Sequence, residues 1–318
     1  FGISATDSSI GYAVFCFPRG NRKVQVIQVY SLYQYKQPSM ELINKILSID
    51  PTYILIGLLS LFFFLEQVFH NPYSFKNRGK HLFQNLLFQL SLTLLNLVFL
   101  GLQLQWIAWL NQHHLGLLHW MDWPYWVKLV LGVILYDFTT YWIHRASHQF
   151  PLLWKFHRVH HSDTHMDSST TFRFHPLEII LVYQTGNVLT ASLFGTDMTS
   201  LALYYLILYV FFFLEHSNLD YPNWLNHTFG LVLVMPDHHR VHHHKDQRYT
   251  DSNFADIFIL WDRIFRTFKW VPVKKEDLGL EEFDSESRQS FLFLMKSPFL
   301  SLNQDESKMK NKDLRQED

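Results

Sequence analysis

Long apolar runs alternate with polar segments through the middle of the chain. Five of these runs approach the ~20 residues that a helix needs to cross a bilayer, and they cover residues 52–69, 86–110, 125–143, 177–194 and 201–214. The last two are short and are joined by Gly195-Thr196-Asp197-Met198, which predicts a hairpin that crosses the bilayer only in part. A buried helix of a soluble domain is the alternative for any single run. Five in succession instead predict an all-α membrane protein with about four to five transmembrane helices.

The composition supports a membrane location and removes some other classes of protein. Of the 318 residues, 48% are hydrophobic and 17% are aromatic, a high aromatic share for a soluble domain. The net charge of -1 gives no reason to expect a nucleic acid partner. Cys16 is the single cysteine, so neither an intramolecular disulfide nor a thiolate metal cage is expected. The unusual quantity is the 19 histidines.

These patterns divide the chain into four segments. Residues 1–39 show neither the charged start nor the apolar run of a signal peptide. Because Met40 directly precedes an amphipathic segment, we expect 1–39 to be an upstream extension or fragment, with a genuine soluble extension as the alternative. Residues 40–124 hold the first transmembrane helices and 125–273 hold the histidine-rich region. Residues 274–318 form a polar C-terminal segment whose tail, from Ser301, is predicted to be disordered.

The basic residues of the loops predict the orientation in the membrane, because Lys and Arg are retained on the cytoplasmic side. The loop after the first run contains Lys76, Arg78 and Lys80, whereas residues 111–124 contain no Lys or Arg. We therefore expect the first loop, both histidine blocks and the C-terminus on the cytoplasmic face. Five tryptophans lie in or beside the loop that lacks basic residues, as expected of interfacial aromatics: Trp106, Trp109, Trp120, Trp123 and Trp126.

Eight histidines form three clusters with a common spacing. The clusters are His144 and His148, then His157, His160 and His161, then His239, His242 and His243. Residues three and four apart lie on one face of a helix, so each cluster can present two or three imidazoles to one point. On the predicted topology the clusters form a helical, histidine-rich cap at the cytoplasmic edge of the spans.

The number of imidazoles predicts two metal ions. Structural zinc uses four ligands and catalytic zinc three plus water, so eight imidazoles exceed one zinc site. A zinc site, a proton relay and an adventitious metal-binding tract remain the competing interpretations. Neutral imidazole suits iron, zinc, copper and nickel alike, so the ligand type alone does not select the metal.

Asp137 lies inside the third apolar run, where an unpaired carboxylate would be costly. On a helix it continues the stripe of Tyr141, His144 and His148. Carboxylates commonly accept the second N–H of a metal-bound imidazole. We therefore expect Asp137 to orient one of the ligands.

The histidine clusters resemble the three histidine boxes of the fatty acid hydroxylase and sterol desaturase superfamily. The boxes read HRASH at 144–148, HRVHH at 157–161 and HRVHH at 239–243. Three connecting phrases are also similar to that family: RFHPLE at 173–178, EHSNL at 215–219 and LWDRIF at 260–265. The resemblance covers roughly residues 127–273, and the order of the boxes makes it specific.

The resemblance implies a ligand set. The eight box histidines would bind two non-heme irons, with His216 as a ninth ligand and His175 or His238 as possible further ones. Ala255 and Arg266 stand where the family pattern has glycines, which affects loop geometry but no ligand. The remaining histidines are expected on loops, on the surface or beside the ligands: His70, His81, His113, His114, His119, His165, His227 and His244.

The resemblance also implies a reaction and its partners. A reduced di-iron pair uses O2 to oxidise a C–H bond of a fatty acyl, alkyl or sterol chain, and the family favours hydroxylation over desaturation. The sequence shows no Gly-x-Gly-x-x-Gly fingerprint and no His-Pro-Gly-Gly heme motif, so a separate ferredoxin, cytochrome b5-like protein or reductase is expected to supply electrons. The expected location is a bacterial inner membrane or the endoplasmic reticulum.

Two other classes of function are weighed against an oxygenase. A membrane zinc protein, either a hydrolase or a transporter, would use part of the same histidine set. A scaffold without catalytic activity would tolerate changes in the boxes, yet all box positions are filled.

The predicted topology can be tested by labelling single cysteines from either side of the membrane. In a Cys16→Ser background, a cysteine in the loop near Gly116 should react only from the side opposite the cytoplasm, because 111–124 lacks basic residues. A cysteine at Lys80 is the matched control and should react from the cytoplasmic side. Labelling of the loop near Gly116 from the cytoplasm alone would overturn the topology.

Overall fold

The computed structural model describes residues 38–69 and 77–302. The predicted extension up to residue 37, the predicted tail from residue 303 and the basic residue Lys76 therefore lie outside the described residues. The chain divides into two compact units, one ending at Ile54 and one beginning at Leu55. The second unit contains all the histidine clusters.

The described residues are helical, and their only strand-like feature is one isolated bridge between His244 and Leu278. The twelve helices are α1 (Pro38–Leu47), α2 (Pro51–Val68), α3 (Arg78–Gln112), α4 (Tyr125–Gln149), α5 (Pro151–His161), α6 (Pro176–Phe194), α7 (Met198–His216), α8 (Trp224–His227), α9 (Pro236–His242), α10 (Gln247–Thr250), α11 (Leu260–Ile264) and α12 (Phe291–Lys296). Short 3-10 turns connect several of them. The predicted all-α class is confirmed.

Five helices, α2, α3, α4, α6 and α7, are long and apolar enough to cross a membrane. They correspond to the five apolar runs of the sequence, and the Gly195 turn joins α6 and α7 as predicted. In the apolar windows of α2 and α3 only 11% of residues are buried, against 39% in the other three. Large apolar side chains on α3 are exposed, such as Leu97 and Val98, each 67%. A bilayer would cover such a surface.

The core between α4, α6 and α7 depends on close approach of the helices. A Cβ atom at Gly132 would lie 2.6 Å from Ser200 Oγ, and one at Gly186 would lie 1.9 Å from Ile143 Cδ1. Small residues at such points let membrane helices pack closely. Tyr136 and Tyr204 fill the space beside them, with their rings stacked at 5.6 Å.

The segment that follows the histidine region packs against it. Phe283 and Leu294 are fully buried and form one core with Phe88 and Trp154. Arg158 donates to two carbonyls of the segment, those of Ser297 (2.6 Å) and Leu300 (3.1 Å). The polar segment predicted from residue 274 is thus folded up to residue 302.

Buried charges connect α3 to the segment that follows α5. His81 was expected on a loop, but it lies in the first turn of α3 and contacts both oxygens of the Asp163 carboxylate at 2.9 Å. Arg173 pairs with the same carboxylate at 3.3 Å, and both side chains are almost completely buried. Burial raises the pKa of Asp163, but the guanidinium of Arg173 and the imidazole of His81 outweigh it and hold this pKa well below its usual range.

A second buried carboxylate attaches α2 to the same region. Glu66 pairs with Arg78 and accepts hydrogen bonds from the backbone N–H groups of Ser168 (2.9 Å) and Asn218 (2.7 Å). These partners belong to three different parts of the chain. The carboxylate thereby fixes the end of an otherwise exposed helix to the histidine region.

Loss of the Asp163 charge is expected to destabilise the fold. Asp163→Asn leaves Arg173 buried without its nearest counter-charge, and breaking a buried pair costs about 3 kcal/mol. The midpoint of thermal unfolding in detergent should fall by roughly 5–10 °C. Glu286→Gln, which removes the exposed pair with Lys80, is the control and should leave the midpoint unchanged. Equal midpoints for both variants would contradict this role.

Candidate metal centre

Nine buried imidazoles converge where α4 and α7 end, and they form two groups. Within each group the ligand atoms lie within 4.8 Å of one another. The five-histidine group contains His144, His148, His157, His161 and His242, and the four-histidine group contains His160, His216, His239 and His243. The structure thus brings together the eight box histidines and His216.

Each HxxHH box serves both groups. In α5, His157 and His161 belong to the five-histidine group, whereas His160 belongs to the other. In the box at the end of α9, His239 and His243 belong to the four-histidine group, whereas His242 belongs to the five-histidine group. Residues four apart stay on one stripe of the helix, whereas the residue at i+3 is rotated to its side. Each cluster thus presents two imidazoles to one group, within the expected two or three, and the third imidazole of each HxxHH box belongs to the other group.

Backbone carbonyls determine which nitrogen of three imidazoles carries the hydrogen. A carbonyl oxygen only accepts, so an Nδ1 atom beside it must donate, and the Nε2 atom then presents a lone pair. The three bonds are His144 Nδ1 to Phe254 O at 2.8 Å, His216 Nδ1 to Phe212 O at 2.7 Å and His242 Nδ1 to Ser252 O at 2.7 Å. Both groups contain such an imidazole.

The Nε2 atoms point at one another. His144 Nε2 lies 3.0 Å from His157 Nε2, and His216 Nε2 lies 3.0 Å from His239 Nε2. His242 Nε2 is buried and has no hydrogen-bond partner among the residues that the structure describes. A cation bound by these nitrogens would satisfy all of them at once.

The surroundings keep the imidazoles neutral, which metal binding requires. Burial lowers the pKa of His160 well below its usual range, and the neighbouring His243 and His216 lower it further. For His242, burial and then His144 lower the pKa in the same way. Phe174 stacks on His160 with ring centroids 4.0 Å apart, so an apolar surface covers one side of this ligand.

The donor atoms fit a pair of borderline transition-metal ions. All nine are imidazole nitrogens, and they divide into one set of five and one of four. The two groups touch, since the rings of His161 and His243 stack at 4.5 Å. Imidazole suits iron, zinc, copper and nickel, whereas magnesium and calcium take oxygen ligands.

The loop of residues 251–256 orients three ligands of the five-histidine group. Besides its two carbonyls, it supplies Asp251, whose Oδ1 atom lies 3.2 Å from His148 Nδ1. Asp262 holds the loop in place by accepting from the backbone N–H groups of Phe254 and Ala255, both at 2.9 Å. Asp262 lies in the family-like phrase LWDRIF, but its role could not be assigned from the sequence.

The two departures from the family pattern have different consequences. Arg266 adopts a φ of 59°, the left-handed region in which glycine has no steric penalty. Ala255 has no positive φ and is buried, so a methyl group is accommodated there. Arg266 belongs to neither histidine group, so its strained backbone does not involve a candidate ligand.

Two glutamates contact ligands and were missed by the sequence reasoning. Glu178 Oε1 lies 2.6 Å from His157 Nδ1, and this pair is fully buried. Glu215 lies beside the four-histidine group, with its oxygens 3.7 Å from the Nδ1 atoms of His216 and His239. Both glutamates occur in the family-like phrases 173–178 and 215–219, which is the only signal that could have found them.

His175 and His238 lie outside both histidine groups. His175 caps the start of α6, where its Nδ1 accepts from the N–H of Leu177 at 3.2 Å. His238 Nδ1 accepts from the N–H of Met235 at 3.2 Å, at the start of α9. The structure therefore gives these two histidines capping contacts.

Within the described residues, the hydrogen bonds of Asp137 go to partners other than the ligand imidazoles. Its Oδ2 atom accepts from Trp261 Nε1 at 2.7 Å and from the N–H of Phe258 at 3.3 Å. The expected hydrogen bond to an imidazole is corrected accordingly. The carboxylate joins α4 to the segment that leads into α11.

The five candidate membrane spans and the two buried histidine groups together are typical of a membrane-associated, metal-binding class of protein. Within that class, a model of the fatty acid hydroxylase family matches residues 129–267. This match and the relatives below support the resemblance to the fatty acid hydroxylase and sterol desaturase superfamily that the histidine boxes predicted.

Three relatives illustrate the similarity. Alkylglycerol monooxygenase of Homo sapiens is 33% identical over 146 residues, 45% of this chain and 30% of that protein. Ornithine lipid hydroxylase OlsE of Rhizobium tropici is 27% identical over 182 residues, 57% of this chain and 53% of that protein. Very-long-chain aldehyde decarbonylase GL1-11 of Oryza sativa subsp. indica is 30% identical over 160 residues, 49% of this chain and 59% of that protein.

The chain spans about a third of the length of the alkylglycerol monooxygenases that it matches, with 30% of the human protein and 34% of the Danio rerio protein covered. No solved structure matches the chain.

Glu178 and Asp137 are expected to respond differently to substitution. Glu178→Ala removes the acceptor of His157 and should weaken metal retention about ten- to a hundredfold at normal folding yield. Asp137→Asn should instead lower thermal stability while metal per folded chain stays normal, because its partners are Trp261 and a backbone N–H. Metal analysis of the folded fraction decides between these effects. Metal loss in Asp137→Asn alone would reverse the assignment.

Proposed function

We propose that the protein is an integral membrane oxygenase that uses two non-heme irons and O2 to hydroxylate a lipid. The observation that carries this proposal is the pair of converging imidazole groups within a fatty acid hydroxylase domain. Two of the relatives are named a monooxygenase and a hydroxylase of lipids. These names favour hydroxylation over desaturation for this chain as well.

The nine histidines would hold the two ions, five around one and four around the other. Bound iron supplies the reduction of O2 and the removal of hydrogen from a C–H bond. The chain's own contribution is geometric: Phe254 O and Ser252 O hold two imidazoles with their Nε2 lone pairs inward. Phe174 and Trp154 pack on ligand rings and exclude water from them.

A cavity beside the four-histidine group offers a place for the lipid. It has a volume of about 220 Å³ and lies between α3, α6 and α7. Its inner wall includes Phe174, which stacks on His160, and Phe212, whose carbonyl accepts from His216. Leu97, on its outer wall, is exposed on the side of α3 that a bilayer would cover. A lipid entering from the bilayer would thus approach the imidazoles.

Electrons would come from a separate redox protein of the ferredoxin, cytochrome b5-like or reductase type. Asp251 offers a short connection to the ligands, because its side chain is 34% exposed and contacts His148. The half-buried Lys245 and the exposed Arg248 lie nearby in the chain and would attract an acidic donor. We place this face on the cytoplasmic side of a bacterial inner membrane or the endoplasmic reticulum, following the loop charges.

Metal analysis combined with isotope labelling tests the proposal. The purified protein should contain two irons per chain and, with lipid, a chemical reductant and 18O2, should introduce one 18O atom into the lipid. His160→Ala and His242→Ala each remove a ligand from a different group, so both should lower bound iron and abolish labelling. His113→Ala, an exposed residue on the far end of α3, should do neither. One zinc per chain without O2 consumption would refute the proposal.

A further inference from the structure

The cavity beside the four-histidine group is lined mainly by apolar surface but also has several polar side chains on its walls. Its walls include the side chains of Gln89 and Asn96 from α3, Asn187 from α6, and several tyrosines from α6 and α7. In an apolar membrane a polar group that lacks a partner costs several kcal/mol. The polar atoms of the wall therefore need partners, either from the protein or from what the cavity holds.

Some of these polar side chains are satisfied by one another. Asn187 Nδ2 donates to Tyr205 Oη at 2.6 Å, and Tyr204 Oη donates to Thr140 Oγ1 at 2.7 Å. Asn96 accepts a hydrogen bond from Gln184. These contacts form a fixed polar frame around part of the cavity.

Two tyrosine hydroxyls of the wall differ from the rest. Tyr183 and Tyr209 both line the cavity, and neither hydroxyl has a hydrogen-bond partner among the residues at 38–69 and 77–302. Both rings are more than half buried. Tyrosine hydroxyls at largely buried positions usually find a partner, and a ligand or water in the cavity that both residues line can supply it.

The backbone around Tyr183 is built to place this residue. It ends a π-helical turn, Ile179–Tyr183, that interrupts α6. Such turns are rare and occur often at functional sites, because the extra residue redirects the side chains that follow. The turn starts directly after Glu178, the glutamate that contacts His157. The turn therefore connects Glu178, which contacts the ligand histidine His157, to Tyr183, which lines the cavity.

We propose that the cavity binds an oxygen-bearing part of the lipid, such as a hydroxyl, ether or ester group, through the hydroxyls of Tyr183 and Tyr209. This inference rests on the proposed function for its reaction, but not for its binding. The two hydroxyls are positioning groups: they fix the polar part of the lipid, so that one region of its chain faces the Phe174 side, where His160 lies. A saturated hydrocarbon of the same length would leave both hydroxyls unpaired and bind more weakly.

Competition between two matched lipids tests this proposal without any turnover. The purified protein in detergent is incubated with equal amounts of 1-O-octadecylglycerol and octadecane, separated from free lipid, and analysed for retained lipid by mass spectrometry. The wild type should retain the glycerol ether at least about tenfold over the alkane. Tyr183→Phe and Tyr209→Phe should each lower that ratio about fivefold, the effect of one ordinary hydrogen bond. Tyr136→Phe, whose buried hydroxyl pairs with Thr196 outside the cavity, is the matched control.

The possible outcomes separate this proposal from the proposed function. Equal retention of the two lipids, or a ratio that Tyr183→Phe and Tyr209→Phe leave unchanged, would mean that the cavity holds water or apolar chain only and would overturn the inference. Selective retention that depends on the two hydroxyls, in a protein that incorporates no 18O, would support the inference and refute the oxygenase function. Iron content of each variant should stay at the wild-type level, because neither tyrosine belongs to a histidine group.

Discussion

The convergence of nine imidazole nitrogens in a dry interior is the constraint on which the rest of the structure depends. Lone pairs that face one another at about 3 Å, as for His144 and His157, repel unless a cation lies between them. The rings must therefore be held by groups other than their neighbours, and the carbonyls of Phe254, Phe212 and Ser252 hold three of them. Metal binding and folding should be strongly coupled in such a centre, because the bound ion removes this repulsion.

The helices that cross the membrane are arranged so that the metal centre forms at their ends. Gly132 and Gly186 allow α4 to approach α7 and α6 closely, which brings the histidines at the end of α4 near His216 at the end of α7. Outside this core, α2 and α3 have little buried surface of their own. Buried carboxylates help to attach them: Glu66 holds α2, and Asp163 pairs with His81 of α3. Charge pairs thus join the outer helices to the histidine region together with a few apolar contacts, such as those of Phe62 with Phe213 and of Phe88 with Trp154.

The helical spans and the eight box histidines could be predicted because both are local patterns, whereas His216 could be named only through the family resemblance. Apolar run length identifies a span, and spacings of three and four identify a helix face. The division of each HxxHH box between two groups could not be predicted, since it depends on which helices stand on either side of α5 and α9. The contacts of Asp137 illustrate the same limit. Asp137 shares a helix with His144, as the sequence pattern indicates, but its hydrogen-bond partner Trp261 is 124 residues away in the chain. Glu178 was missed because a lone carboxylate carries no spacing pattern.

The irregular turn in α6 links the candidate metal centre to the cavity. In an uninterrupted α-helix, Glu178 and Tyr183 would be separated by about 140° around the axis, since each residue turns by ~100°. A π-helical turn has fewer degrees per residue, so it rotates Tyr183 away from that position. Because Glu178 contacts His157 and Tyr183 lines the cavity, any shift of this turn would move both together. A lipid bound at Tyr183 would then be positioned relative to the ligand set by one short segment of backbone, and not by two independent ones.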